Sequence, residues 1–302
     1  MTKHSHIQRK FLLTWIVLPI IIVWLTTNYL IGIFRSPAWL AEKNNTAIAS
    51  GALAQTGEKP PTIAKYTWNN TGLVTLWFDD GWNSQYTTAY PILEEFGYKA
   101  ALAVPTNLIG NDPYMGVAQV KKLQTNGWEM TSHTRNHNCR LFEANEQTLE
   151  SELGGSKDDL KRMGLGSDNF VSPCGVDSLQ MKTTAEKYYS SFRTSEPGFN
   201  PIPVEDPYNL VVQTMRVNVP FSTVQSWIYQ ARQQHKWLII MFHQIDSSGT
   251  EYSITPSMLH DILGEIEKDQ LPVVLPNQVL KIDNKPKNTT TSNLTKNITP
   301  TQ

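Results

Sequence analysis

Asp79 and Asp80 stand side by side at the end of the apolar run Leu73-Val-Thr-Leu-Trp-Phe78, with Gly81 next. Adjacent carboxylates at the mouth of a buried strand repel each other, so the chain must bring a cation or a proton to them. His133 and His137, four positions apart in Ser132-His-Thr-Arg-Asn-His137, are side chains suited to holding a divalent metal. A helical turn beginning there would put both imidazoles on one side. A third imidazole, His243, directly follows the run Trp237-Leu-Ile-Ile-Met-Phe242, and Pro173-Cys174-Gly175 makes a tight turn after Phe170-Val171. Taken singly, these are an acidic turn and ordinary strand-end histidines. Their meaning depends on whether the chain gathers them on one face.

The pattern of elements predicts that it does. Strands are expected at residues 73–78, 99–104, 128–131, 170–171, 210–219, 237–242 and 273–275. Helices are expected at 86–96, 117–126, 146–163, 179–189, 223–234 and 256–268, the third with acids early and Lys161 and Arg162 late. Repeated strand-helix units predict an α/β fold with a parallel sheet, and their number predicts a distorted (β/α) barrel of about seven to eight strands. In a barrel of this kind the C-terminal strand ends carry the chemistry, and each group named above follows a strand.

The flanks differ from this body. Residues 1–10 are polar and include Lys3, Arg9 and Lys10, whereas residues 11–34 run almost without charge for long enough to cross a bilayer of roughly 30 Å as a helix. No small-x-small cleavage pattern follows closely, so the run reads as an uncleaved signal anchor. The basic residues ahead of it favour a cytoplasmic N-terminus, with the remainder outside a cell membrane crossed once. Residues 35–65 read as a linker, 66–283 as the catalytic domain and 284–302 as a disordered Asn/Thr-rich tail. Asn-x-Thr triplets at Asn44, Asn69, Asn288, Asn293 and Asn297 stand outside or at the edge of the apolar body. The formal charge of −1 over 302 residues offers no basic face for nucleic acid. Nine Trp and eleven Tyr suit sugar stacking and core filling alike.

The order Phe78-Asp-Asp-Gly81, then His133-Thr-Arg-Asn-His137, then a Pro-x-Gly turn, then a strand ending in His243 resembles the polysaccharide deacetylases of the NodB-homology type, carbohydrate esterase family 4. The resemblance spans about residues 71–279. It implies that Asp80, His133 and His137 bind a divalent metal, zinc first, with cobalt, nickel or manganese as alternatives. It further implies Asp79 as general base toward the attacking water and His243 as general acid toward the leaving amine. A cation beside the pair would also let Asp79 stay ionised next to Asp80.

The departures are specific. Many family members carry an Arg before the Pro of the third motif that pairs with the base, and this chain has Val171-Ser172 there. A branch of the family takes the Arg from a later strand, and Arg216 is the candidate here. Pro173, Cys174 and Gly175 are expected to face substrate, with Cys174 where an aromatic is usual. Cys139 and Cys174, the only two cysteines, sit in loops expected to share a face; a disulfide and two separate thiols both remain open. The implied activity is N-deacetylation of an extracellular polysaccharide or oligosaccharide of N-acetylhexosamines. O-deacetylation of a polymer such as acetylxylan and a non-catalytic glycan-binding scaffold are the alternatives.

Overall fold

The computed structural model describes residues 65–282. The expected membrane anchor at 11–34, most of the linker and the tail lie outside the described residues; among those described, no helix is long and apolar enough to cross a membrane.

Seven parallel strands close into a barrel in sequence order: β1 (Leu73–Phe78), β2 (Ala101–Val104), β3 (Glu129–Ser132), β4 (Asn169–Val171), β5 (Ser191–Pro197), β6 (Leu210–Thr214) and β7 (Trp237–Phe242). Closure comes from β1 and β7, paired along their full length from Leu73 opposite Trp237 to Phe78 opposite Phe242. Every residue of both strands is buried, which is why they read as unbroken apolar runs rather than alternating ones. The two faces of β1 still have different neighbours. Leu73 and Trp77 pack in the cluster that contains Val212, Trp237, Ile239 and Met241, whereas Val74, Leu76 and Phe78 pack against helix residues such as Val224, Ile228 and Leu259.

The helices alternate with the strands. A π turn (Gln85–Ala89) leads into α1 (Tyr90–Glu95), and α2 (Val117–Thr125) precedes β3. The expected helix at 146–163 is three joined pieces: α3 (Glu146–Leu149), a π turn (Glu150–Gly154) and α4 (Gly155–Arg162). Helices α5 (Leu179–Glu186), α6 (Phe221–Gln234), α7 (Pro256–Lys268) and α8 (Pro276–Val279) complete the described set. Helix α7 shows why such segments form: Thr255 accepts from Met258 N at its start, Pro256 opens the first turn, and Leu259, Ile262, Leu263 and Ile266 give one apolar stripe. A two-stranded ribbon, β8 (Gln244–Ile245) with β9 (Ser253–Ile254), closes the loop after β7.

The strand count agrees with expectation, but the membership does not. Residues 273–275 make only an isolated bridge from Val273 to Val74, so they are not a barrel strand. The fifth strand is Ser191-Phe-Arg-Thr-Ser-Glu-Pro197, whose polar composition hides it, although Ser191 to Thr194 are all buried. Strand β6 ends at Thr214, so Arg216 lies beyond the sheet rather than within it.

Candidate metal centre and catalytic groups

The C-terminal ends of β1, β3, β4, β5 and β7 meet around one cavity of about 440 Å³, lined among others by Asp79, Asp80, His133, His137, Arg193 and His243. Asp80 turns into it through a left-handed backbone, φ 75°, followed by Gly81 at φ 74°. A non-glycine residue pays strain for that conformation, and strain of this kind is common where a side chain must be aimed at a site. Gln85 ties the two adjacent strand ends together, donating from Nε2 to the carbonyls of Asp79 (2.5 Å) and His243 (2.9 Å).

His133 and His137 converge on one oxygen. Nε2 of His133 lies 3.3 Å and Nε2 of His137 lies 3.1 Å from Asp80 Oδ1. The expected helical turn is not what brings them together: Thr134 and His137 adopt φ 65° and 51°, and His137 N donates to Thr134 Oγ1 at 3.1 Å. The segment hangs from the helical run at 146–162. Glu152 accepts from the backbone N–H groups of Arg135 and Asn136, both at 3.0 Å, while Asp159 takes the Arg135 guanidinium at 2.7 and 3.1 Å. Gly155 makes room for that guanidinium, since a Cβ there would stand 2.4 Å from Arg135 Cζ.

The donor set fits a divalent cation. His133 Nδ1 is 2.8 Å from the Val171 carbonyl, which can only accept, so Nδ1 carries a proton and Nε2 is the ring atom turned toward Asp80. Two imidazole nitrogens and a carboxylate oxygen brought this close need positive charge between them, a proton on the nitrogens or a metal ion in their place. Asp80 Oδ1 is buried with no hydrogen-bond partner, and its ligand atoms with those of His133 and His137 all lie within 4.8 Å of one another. Burial alone would raise the Asp80 pKa, yet the facing imidazoles hold it well below the usual carboxylate range. The other oxygen, Oδ2, accepts from Trp82 Nε1 at 3.0 Å.

Asp79 has a different partner from the one expected. Arg193, on β5 and 1% exposed, donates from Nη2 to both carboxylate oxygens of Asp79 at 2.6 and 2.5 Å. Its Nη1 reaches the Thr194 carbonyl at 3.2 Å and Met241 Sδ at 2.8 Å, and its Cζ lies 5.0 Å from the Trp77 ring centroid. Arg216 does not take this position. It pairs with Glu251 and lies over the Tyr252 ring at 4.7 Å, an exposed pair on the cavity rim. The reason is topological: β5 runs beside β4 and delivers Arg193 opposite Val171, whereas the chain has already left the sheet at Arg216.

His243 Nε2 stands 4.0 Å from Asp80 Oδ2, its ring packs against Tyr252 at 4.9 Å, and its Nδ1 is buried without a hydrogen-bond partner. Burial pushes its pKa down, outweighing the pull of Asp79 and Asp80 in the other direction. Pro173, Cys174 and Gly175 form a 3-10 turn after β4; Cys174 and Gly175 line the cavity, whereas Pro173 is buried beneath it. Cys139 and Cys174 are joined as a disulfide with Cα atoms 5.4 Å apart. Arg193, Trp82 and Tyr252 are cavity residues that sequence reasoning missed. Trp82 had a signal, its place directly after Asp79-Asp80-Gly81, whereas Arg193 lies in a segment with no apolar run of its own.

Residues 69–188 match the family model described as polysaccharide deacetylase. YxkH of Bacillus subtilis (strain 168), assigned by its name to the polysaccharide deacetylases, is 32% identical over 127 residues, covering 41% of this chain and 45% of that protein. This chain therefore matches less than half the length of that relative. Among solved structures, the Bc1960 peptidoglycan N-acetylglucosamine deacetylase is similar at 16% identity and a TM-score of 0.52, over 72% of this chain and 92% of its own. A mutant of BA3943, a family 4 pseudoenzyme with restored enzymatic activity, is similar at 13% identity and a TM-score of 0.52, over 73% and 72%. At these identities the two structures speak to the fold alone.

Proposed function

We propose that this chain, whose residues 69–188 match the polysaccharide deacetylase family model, is a metal-dependent deacetylase that removes N-acetyl groups from an extracellular polymer of N-acetylhexosamines. The observation that carries the reading is the convergence of Asp80, His133 and His137 ligand atoms within 4.8 Å of one another, beside a second carboxylate already neutralised by a buried arginine. A divalent ion, which those three residues would hold, would polarise the acetyl carbonyl and lower the pKa of water, zinc and cobalt being suited to the donor set.

The chain's own residues supply the rest. Asp79 acts as general base toward the attacking water, and Arg193 fixes its carboxylate by two hydrogen bonds. His243, at the neighbouring strand end, serves as general acid: once protonated, an imidazole with a depressed pKa gives up its proton readily to a leaving amine. Trp82 steadies the Asp80 oxygen that faces His243. Arg216, Tyr252, Cys174 and Gly175 form the rim that a sugar chain would cross. The apolar run at 11–34 would hold the enzyme at a membrane surface, facing a polymer outside the cell, and the disulfide supports an oxidising compartment.

Acetate release from N-acetylglucosamine oligomers and from acetylxylan, measured side by side with and without a chelator, tests the reading. Chelator-sensitive release from the oligomers is expected, with Asp79→Asn keeping its metal and losing about 10²–10⁴-fold in turnover. Release from acetylxylan alone would make the protein an esterase. Full turnover by Asp79→Asn would remove the assigned base.

A further inference from the structure

Both imidazoles of the candidate metal set are tied to the loop after β4, each by a different kind of link. His133 donates to the Val171 carbonyl, whereas His137 is held through Cys139, two residues on, by the disulfide to Cys174. Ahead of His137 the chain is pinned by Glu152. Beyond it the disulfide ties residues 138–140, whose hydrogen bonds among the described residues reach no further than residue 143, and the buried Leu141 anchors the chain after them. Both cysteines are exposed, so a reductant can reach the bond.

We propose that Cys139 and Cys174, once reduced, form with His137 a second cation site of thiolate and imidazole ligands that draws His137 away from Asp80 and His133. The three ligand atoms already lie within 4.8 Å of one another. Two thiolates bound at about 2.3 Å to one tetrahedral ion sit roughly 3.8 Å apart, so the sulfurs need only part along the bond they now share. His137 belongs to both groups, so an ion held by the two sulfurs competes with the first site for the same side chain. Thiolates are the softer ligands, and two of them neutralise a divalent charge that one carboxylate leaves half balanced, so zinc or cobalt favours the new position.

The switch balances without an unnamed partner. A dithiol reductant supplies two electrons and two protons, the Cys139–Cys174 bond breaks to two thiols, and the reductant leaves as its own disulfide. Each thiol releases its proton to solvent on binding the cation. Reoxidation by a small-molecule disulfide, which takes up the two electrons and two protons and leaves as two thiols, reforms the Cys139–Cys174 bond and expels the cation. The proposal rests on reading Asp80, His133 and His137 as the catalytic metal set, because it is from them that His137 is taken.

The test uses the full chain, oxidised or reduced with a phosphine, desalted without oxygen and titrated with cobalt(II). Reduced protein is expected to show thiolate-to-cobalt charge-transfer absorption that the oxidised protein lacks, and reoxidation of the same sample should erase it. At one equivalent of cobalt, reduction should lower acetate release at least about tenfold, and the Cys139→Ser/Cys174→Ser variant should show neither the band nor any response to reductant. Cobalt bound by reduced protein without the thiolate band overturns the proposal. Failure of the oxidised protein to bind cobalt would instead overturn the catalytic metal set, leaving the thiolate band as the separate measure of the second site.

Discussion

Asp80 at the C-terminal rim of the barrel and Glu129 at its N-terminal end are both buried carboxylates, and their surroundings drive them in opposite directions. Asp80 faces two imidazoles, which hold its pKa well below the usual range against the effect of burial. Glu129 opens β3 and meets only neutral donors: Asn277 N at 3.0 Å and the Asn169 side-chain amide at 2.5 Å. Burial there prevails and pushes its pKa up to about 7. Neutral amides stabilise a carboxylate less than charge does, so the lower end can keep its proton and serve as a structural plug. The upper end keeps its charge, which is what a cation site needs.

That contrast breaks most completely at Asp80. Asp80→Asn should abolish metal binding and acetate release while leaving the unfolding free energy no lower, because the charge serves the cation and not the core. Metal analysis beside denaturant unfolding checks both halves, and retained metal would end the assignment. Next in size is Arg193→Met, which leaves Asp79 buried and unpaired at the same rim. It should cost about 3–5 kcal/mol in stability and about 10–100-fold in turnover. Arg216→Ala, which opens only the exposed pair with Glu251, is the control and should cost under about 1 kcal/mol. The third effect belongs to the lower end. With the folded pKa of Glu129 raised from 4.5 to about 7, the folded state binds the extra proton between those values. Its contribution is full below the unfolded pKa and is lost as pH rises through the folded one, a change on the order of 3 kcal/mol. Glu129→Gln should therefore flatten the difference in stability between pH 4.5 and 7 and leave acetate release unchanged; urea unfolding across pH measures it.

Legibility in the sequence followed polarity. Strands β1 and β7 were visible because a strand buried on both faces must be apolar throughout, and Asp79, Asp80 and His243 came with them as their next residues. Strand β5 was invisible for the opposite reason: three of its four buried positions are filled by Ser191, Arg193 and Thr194, whose hydrogen bonds, not their hydropathy, permit burial, and Phe192 alone is apolar. The arginine that positions Asp79 was lost with it, and Arg216 stood in its place. Residues 273–275 show the converse error, an apolar segment that meets the barrel at one bridge only. The histidine pair was legible in spacing and not in cause, since positive φ at Thr134 and His137 depends on support from Glu152, fifteen residues beyond His137.

That support has a consequence for anyone wishing to move this site into another barrel. The hexapeptide 132–137 has no conformation of its own to carry along; its backbone is dictated by Glu152 and its arginine by Asp159, with the π turn at Glu150–Gly154 between them and Gly155 cleared for the guanidinium. The transplantable module thus runs from residue 133 through Cys174, taking in the loop after β4 that holds both imidazoles, and a graft of the two histidines alone would carry the ligands without the scaffold that aims them.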